Sequence, residues 1–188
     1  MSTDVYLEIG AKRVFASAAE WPGWCRAGKT EELALAALEA SAPRYAAVAR
    51  TAGLPFPGDP ARFDVVERLP GSATTDFGAP GETAAREAAP LNGTEAERLA
   101  GLLAAVWALL DRVVSAAPAE LHKGPRGGGR DRDAIFQHVV GAEAAYARKV
   151  GVRMAEPGPG DRAAVEALRH AVVDAVRAAT GKAEILGN

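Results

Sequence analysis

The chain has 188 residues, 48% hydrophobic and 24% charged, with a formal net charge of -2 and a pI near 6.0. It is long enough to bury a core as one large or two small domains, and it carries no overall electrostatic footprint for nucleic acid. The single cysteine, Cys25, excludes an intramolecular disulfide and a multi-cysteine zinc site. No run of eighteen apolar residues occurs, and Asp4 and Glu8 stand where a secretory leader carries basic and apolar regions, so the expectation is a cytoplasmic chain with no nucleic acid and no membrane partner.

Val5, Leu7 and Ile9 alternate with Tyr6 and Glu8, which predicts a half-buried strand closed by a turn at Gly10-Ala11-Lys12. A second strand is expected over Arg13 to Ala19, and a short third over Trp24 to Ala27 after the Pro22-Gly23 turn. Gly28 breaks that strand before Thr30, an N-cap followed by Glu31 and Glu32 at the positive end of a helix. The helix is expected to bury Leu33, Ala37 and Leu38 together with Leu35 or Ala36. Pro43 lacks the N–H a continuing helix needs, so a kink or restart is expected there, with Arg44 to Ala52 helical. Phe63, Val65 and Val66 read as a last strand beyond a Pro-rich loop. Cys25 beside Trp24 reads as a small packed hydrophobe, with no His or Lys next to it in sequence to activate a thiolate.

Residues 71 to 93, punctuated by Gly71, Gly78, Pro80, Gly81, Pro90 and Gly93, show neither period and read as a linker or a covering loop. Thr94 and Glu97 then form a capping box opening a helix to about Ala116, with Leu99, Leu102, Leu103, Val106, Leu110 and Val113 inward and Trp107 at the edge of that stripe. A second long helix is expected from Asp131 to Val150, with Ile135, His138, Val139, Ala142, Ala145, Tyr146 and Lys149 inward. Gly160-Asp161 opens a third, with Val165, Leu168, Val172 and Val176 inward and His170 beside Glu166, Arg169 and Asp174 on the solvated face.

Three strands, a helix and a strand, with Pro22, Gly23, Cys25, Gly28, Thr30, Glu31, Glu32 and Leu35 at the turn and helix start, resemble the HicB-like antitoxin fold over about residues 3 to 70. The run from Arg126 through Gly127-Gly128-Gly129 and His138 to Glu143 and Tyr146 resembles the loop and second helix of DinB-like four-helix bundles, over about residues 94 to 181. The second resemblance implies a divalent metal held by that His and two more in a His-x-x-x-His pair on a fourth helix, and a thiol-dependent transferase or isomerase activity. Only His138 carries over. No His-x-x-x-His occurs, and Gly181 to Asn188 is too short for a fourth long helix. No cofactor therefore follows; a divalent metal at His138 would need ligands this chain does not show.

The expected architecture is α+β: residues 1–70 as a small antiparallel sheet with one long helix, 71–93 as linker, and 94–188 as an incomplete bundle of three long helices on which the sheet domain packs. Two functions of different class remain. One is a degenerate thiol-transferase-type enzyme on a small molecule, with His138, Glu143 and Tyr146 as catalytic candidates and Arg126 and Arg130 of the Gly-rich loop as anion-binding candidates. His138 reads first as a buried imidazole satisfied by hydrogen bonds to Glu, Tyr or backbone. The other is a non-catalytic antitoxin-like module recruiting a protein partner. The place of the missing helix is filled either by the N-terminal helix or by a second copy of the chain, which makes a homodimer one reading.

Overall fold

The computed structural model describes residues 2–57, 62–124 and 127–181. The fold is mixed α+β and divides into two compact units, residues 1–89 and 90–188.

The first unit is a four-stranded sheet, β1 (Ser2–Ile9), β2 (Val14–Ala18), β3 (Cys25–Gly28) and β4 (Arg62–Pro70), in the order β3-β2-β1-β4. It is not the antiparallel sheet expected from sequence. β1 pairs antiparallel with β2 and β2 with β3, but β4 lies parallel to β1, with a bulge where Val66 is inserted between the Val5–Val65 and Tyr6–Glu67 pairs. The two helices between β3 and β4 make a crossover that returns the chain in the direction of β1. They replace the single long helix: α1 (Glu31–Ala40) stops at Ser41, and α2 (Ala42–Thr51) restarts with Pro43 in its first turn, where the missing N–H is harmless.

Val5, Leu7, Ala16 and Ala18 share one sheet face with Trp24, and α1 and α2 cover it through Ala34, Leu38, Ala42, Tyr45 and Ala49. The Trp24 indole N–H donates to the Leu38 carbonyl at 3.0 Å and to Ser41 Oγ at 3.1 Å, which satisfies the polar edge of a buried ring. Leu33, expected inward, is exposed. The phase of α1 is set by Gly28, where an added Cβ would lie 2.3 Å from the Ala34 backbone nitrogen, so the strand end presses directly on the helix and Ala34 takes the inward place.

The segment after β4 is structured. It holds α3 (Ala73–Phe77), capped by Ser72, and a 3-10 turn at Ala85–Ala88.

The second unit has α4 (Gly93–Ala116), α5 (Arg132–Lys149) and α6 (Arg162–Ala178). The capping box of α4 is Asn92 with Glu95, not Thr94 with Glu97: Asn92 Oδ1 accepts from the Glu95 N–H at 2.9 Å, and Glu97 pairs with Arg177. Asn is among the best N-cap residues and lies two positions earlier, which puts Thr94 inside the helix. α4 buries Ala96, Ala100, Leu102, Ala105, Trp107 and Val114, while Val106 and Val113 of the expected stripe are exposed. A helix apolar on nearly every side has no phase of its own, and its tertiary partners choose one. By length and composition α4 would also suffice to cross a membrane, a test that core helices of soluble proteins pass as well.

Candidate functional site

Arg169 is the chemical centre of the helical unit, not a residue of the solvated face of α6 as the sequence pattern predicts. Its side chain is 8% exposed. Nη1 donates to both oxygens of Asp111 on α4, at 3.1 and 3.0 Å, and Nε and Nη2 donate to the two oxygens of Glu143 on α5, at 3.1 and 3.2 Å. The guanidinium lies 5.2 Å from the Trp107 ring centroid and 5.9 Å from that of Phe136, and the Arg162 guanidinium lies 4.9 Å from the Phe136 centroid. One planar cation thus binds a carboxylate from each neighbouring helix and packs on two aromatic rings. That is the fork geometry guanidinium supports and ammonium does not.

This arrangement decides where the three catalytic candidates stand. Glu143 is taken by Arg169. His138 is exposed, and Tyr146 is 68% exposed. Five residues separate His138 from Glu143, which at about 100° per residue sets them roughly 140° apart around α5. The expected inward face of α5 is therefore its outer one, and the buried face is Val140, Ala144 and Ala147, of which the two alanines pack against Leu168 with Val152 and Val172. The alanines permit close approach to α6, and the ion pair of Glu143 fixes the rotation. Apolar residues on both sides of α5 left its phase undetermined in sequence. For Arg169 the sequence carries one signal, its place next to Leu168 and four residues after Val165 in the inward row of α6.

The Gly-rich loop bonds partly to itself. The Gly124 N–H donates to the Gly128 carbonyl at 2.9 Å and the Gly127 N–H to the Gly124 carbonyl at 2.8 Å, so both donors are used inside the loop. Arg130 is exposed, and Arg126 lies outside the described residues. Asp131 sits at the N-cap of α5, but its carboxylate accepts from the Leu121 N–H and from Lys123, whose ammonium holds it below the usual carboxylate range. His122 and His170 are exposed. Among the described residues, no group of three or more His, Cys, Asp or Glu could hold a metal ion.

A second polar cluster lies in the first unit, on the sheet face opposite α1. Alternation and register place Tyr6, Glu8, Phe15, Ser17, Cys25 and Glu67 there. Glu8 is fully buried. It accepts from the Thr75 hydroxyl, from the Gly81 N–H at 2.9 and 3.1 Å, and from the Glu82 N–H at 3.0 Å. The Tyr6 hydroxyl donates to Glu87 at 3.0 Å, and burial together with the negative Glu87 holds the phenol well above its ordinary value. Burial likewise pushes the Cys25 thiol up, which keeps it protonated and a poor nucleophile. The cluster pairs carboxylates with backbone N–H groups and with the Thr75 and Tyr6 hydroxyls.

Comparison with protein-family models, with curated proteins and with solved structures finds no match to this chain, so its chemistry is read from its own geometry.

Proposed function

We propose that the chain is a non-catalytic interaction module whose helical unit docks a second copy of itself along the outer face of α5. The observation that carries this reading is the apolar stripe Ile135, Val139, Ala142 and Tyr146, with Ile135 41% and Tyr146 68% exposed, on a helix whose opposite face already serves the core. Exposed apolar stripes of this kind mark association surfaces, and Ala142 and Ala145 lower the surface enough for another helix to approach. The HicB-like resemblance supports it from a different side, since it implies a module that recruits protein. The dispersal of His138, Glu143 and Tyr146 weighs against the thiol-transferase reading, since a general base must reach its substrate together with its partners.

Light scattering tests the reading. The protein is expected at twice the chain mass of 19.4 kDa, and the double variant Ile135→Glu, Tyr146→Glu at the chain mass with unchanged helical circular dichroism. A wild-type monomer at the highest soluble concentration overturns it. Elemental analysis covers the enzyme alternative: stoichiometric metal that disappears in His138→Ala would establish a metal site and displace the interaction reading.

A further inference from the structure

Residues 71–89 cross the sheet face opposite α1, and the bonds that hold them are of one kind. Besides the bonds to Glu8, the Lys12 N–H donates to Asp76 at 2.8 Å, the Ala85 N–H to Glu67 at 3.0 Å, Tyr6 to Glu87, and Arg86 pairs with Glu20 at 3.3 Å. Carboxylates make nearly every attachment. The segment itself adds little apolar burial, since Ala84 is its buried apolar residue and Phe77 is 89% exposed; on the sheet side Phe15 is the one large buried apolar ring of that face. The other face of the sheet carries the aromatic and aliphatic core, with Trp24 at its centre and its rings 4.9 Å from Phe56 and 5.6 Å from Phe63.

The two faces are therefore held by forces of different size and kind. Opening the core face exposes several large apolar side chains to water, whereas lifting the segment exposes at most the Phe15 ring and exchanges hydrogen bonds to carboxylates for hydrogen bonds to water. Removing a carboxylate from water is itself unfavourable, so rehydration of Glu8 favours the open form and offsets part of what closing gains. Elements with few buried apolar contacts open below the free energy of global unfolding. The hinge points are defined at one end. Gly71 packs where an added Cβ would lie 2.7 Å from the Gly10 nitrogen, and its N–H donates to the Ile9 carbonyl at 2.8 Å, which anchors the segment to the end of β1.

We propose that residues 72–88 form a strap that lifts from the sheet as a unit while the α1-side core stays folded, with Glu8 as its latch and the Glu8–Tyr6 surface uncovered by opening. The strap covers a polar row able to pair with backbone N–H groups, so opening converts an internally satisfied face into one that can accept them.

Hydrogen exchange on the full chain, resolved by mass spectrometry, tests this. In the wild-type protein, amides of Gly81, Glu82 and Ala85 are expected to exchange together and at least tenfold faster than the ladder amides of β1 and β2. Glu8→Gln, which turns an amide N–H₂ toward the strap's donors, is expected to accelerate strap exchange by a further tenfold or more while β1 and β2 protection and Trp24 fluorescence stay at wild-type values. Thr75→Val, which removes the donor to Glu8 and, within the strap, the acceptor of the Ser72 N–H without touching the sheet, is expected to act in the same direction with a smaller factor. Strap amides exchanging at the rate of the β1 and β2 ladder overturn the proposal. So does a Glu8→Gln variant that loses protection throughout the unit, with Thr75→Val leaving strap exchange unchanged.

Discussion

Replacing Arg169 by Met tests the physical account of the helical unit most severely. The substitution keeps an unbranched side chain on the Trp107 and Phe136 rings but takes the cation from Glu143 and leaves Asp111 with Arg162 alone, at 3.9 Å. Asp111, with its side chain 40% exposed, can turn to water; Glu143, at 14%, cannot. Removing one partner of a buried ion pair costs about 3–5 kcal/mol, because the remaining charge is left desolvated. With one of the two carboxylates able to rehydrate, the lower end applies, about 3 kcal/mol. Urea slopes for small units run at about 1–3 kcal/mol/M, so the unfolding midpoint of the helical unit should fall by about 1 M or more. The assay is urea unfolding followed by far-ultraviolet circular dichroism, with hydrogen exchange assigning the lost protection to α4, α5 and α6. The double variant Arg169→Met, Glu143→Met should recover more than half of the loss, since it removes the stranded carboxylate along with the cation. A single variant losing less than about 1 kcal/mol, or a double variant no better than the single, would refute the reasoning.

The raised Tyr6 phenol ties stability to alkaline pH. Its ordinary value is 10.0, and burial with Glu87 lifts it in the folded state, so the unfolded chain releases a proton that the folded one keeps. Stability should be complete below about pH 10 and decline as pH rises beyond it, and Tyr6→Phe should flatten that decline; parallel melting-temperature curves for the two proteins up to about pH 11 would count against it. Gly28→Ala forces a Cβ to within 2.3 Å of the α1 backbone, and overpacking of this kind costs about 1–3 kcal/mol, here at the upper end since no flexible side chain can yield. Thermal melting reads it out, and an unchanged midpoint would mean that strand and helix are not in the contact described.

Sequence alone determined the elements and their punctuation. The period of two in Val5, Leu7 and Ile9, Thr30 capping α1, Pro43 dividing two helices and Asp161 capping α6 are short-range effects, decided within a turn or a strand. It did not determine which way long apolar helices face. α4 and α5 carry apolar residues on more than one side, so their phases followed from contacts remote in sequence, above all Arg169 with Asp111 and Glu143, separated by 58 and 26 residues. The same holds for the direction of β4, set by the crossover rather than by its own alternation, and for Glu8, whose partners lie 67 to 74 residues on. The sequence placed a lone imidazole in the core and a charged side chain in water; tertiary structure exchanged them, because a guanidinium with two carboxylates satisfies its burial and an unpartnered histidine gains nothing from its own.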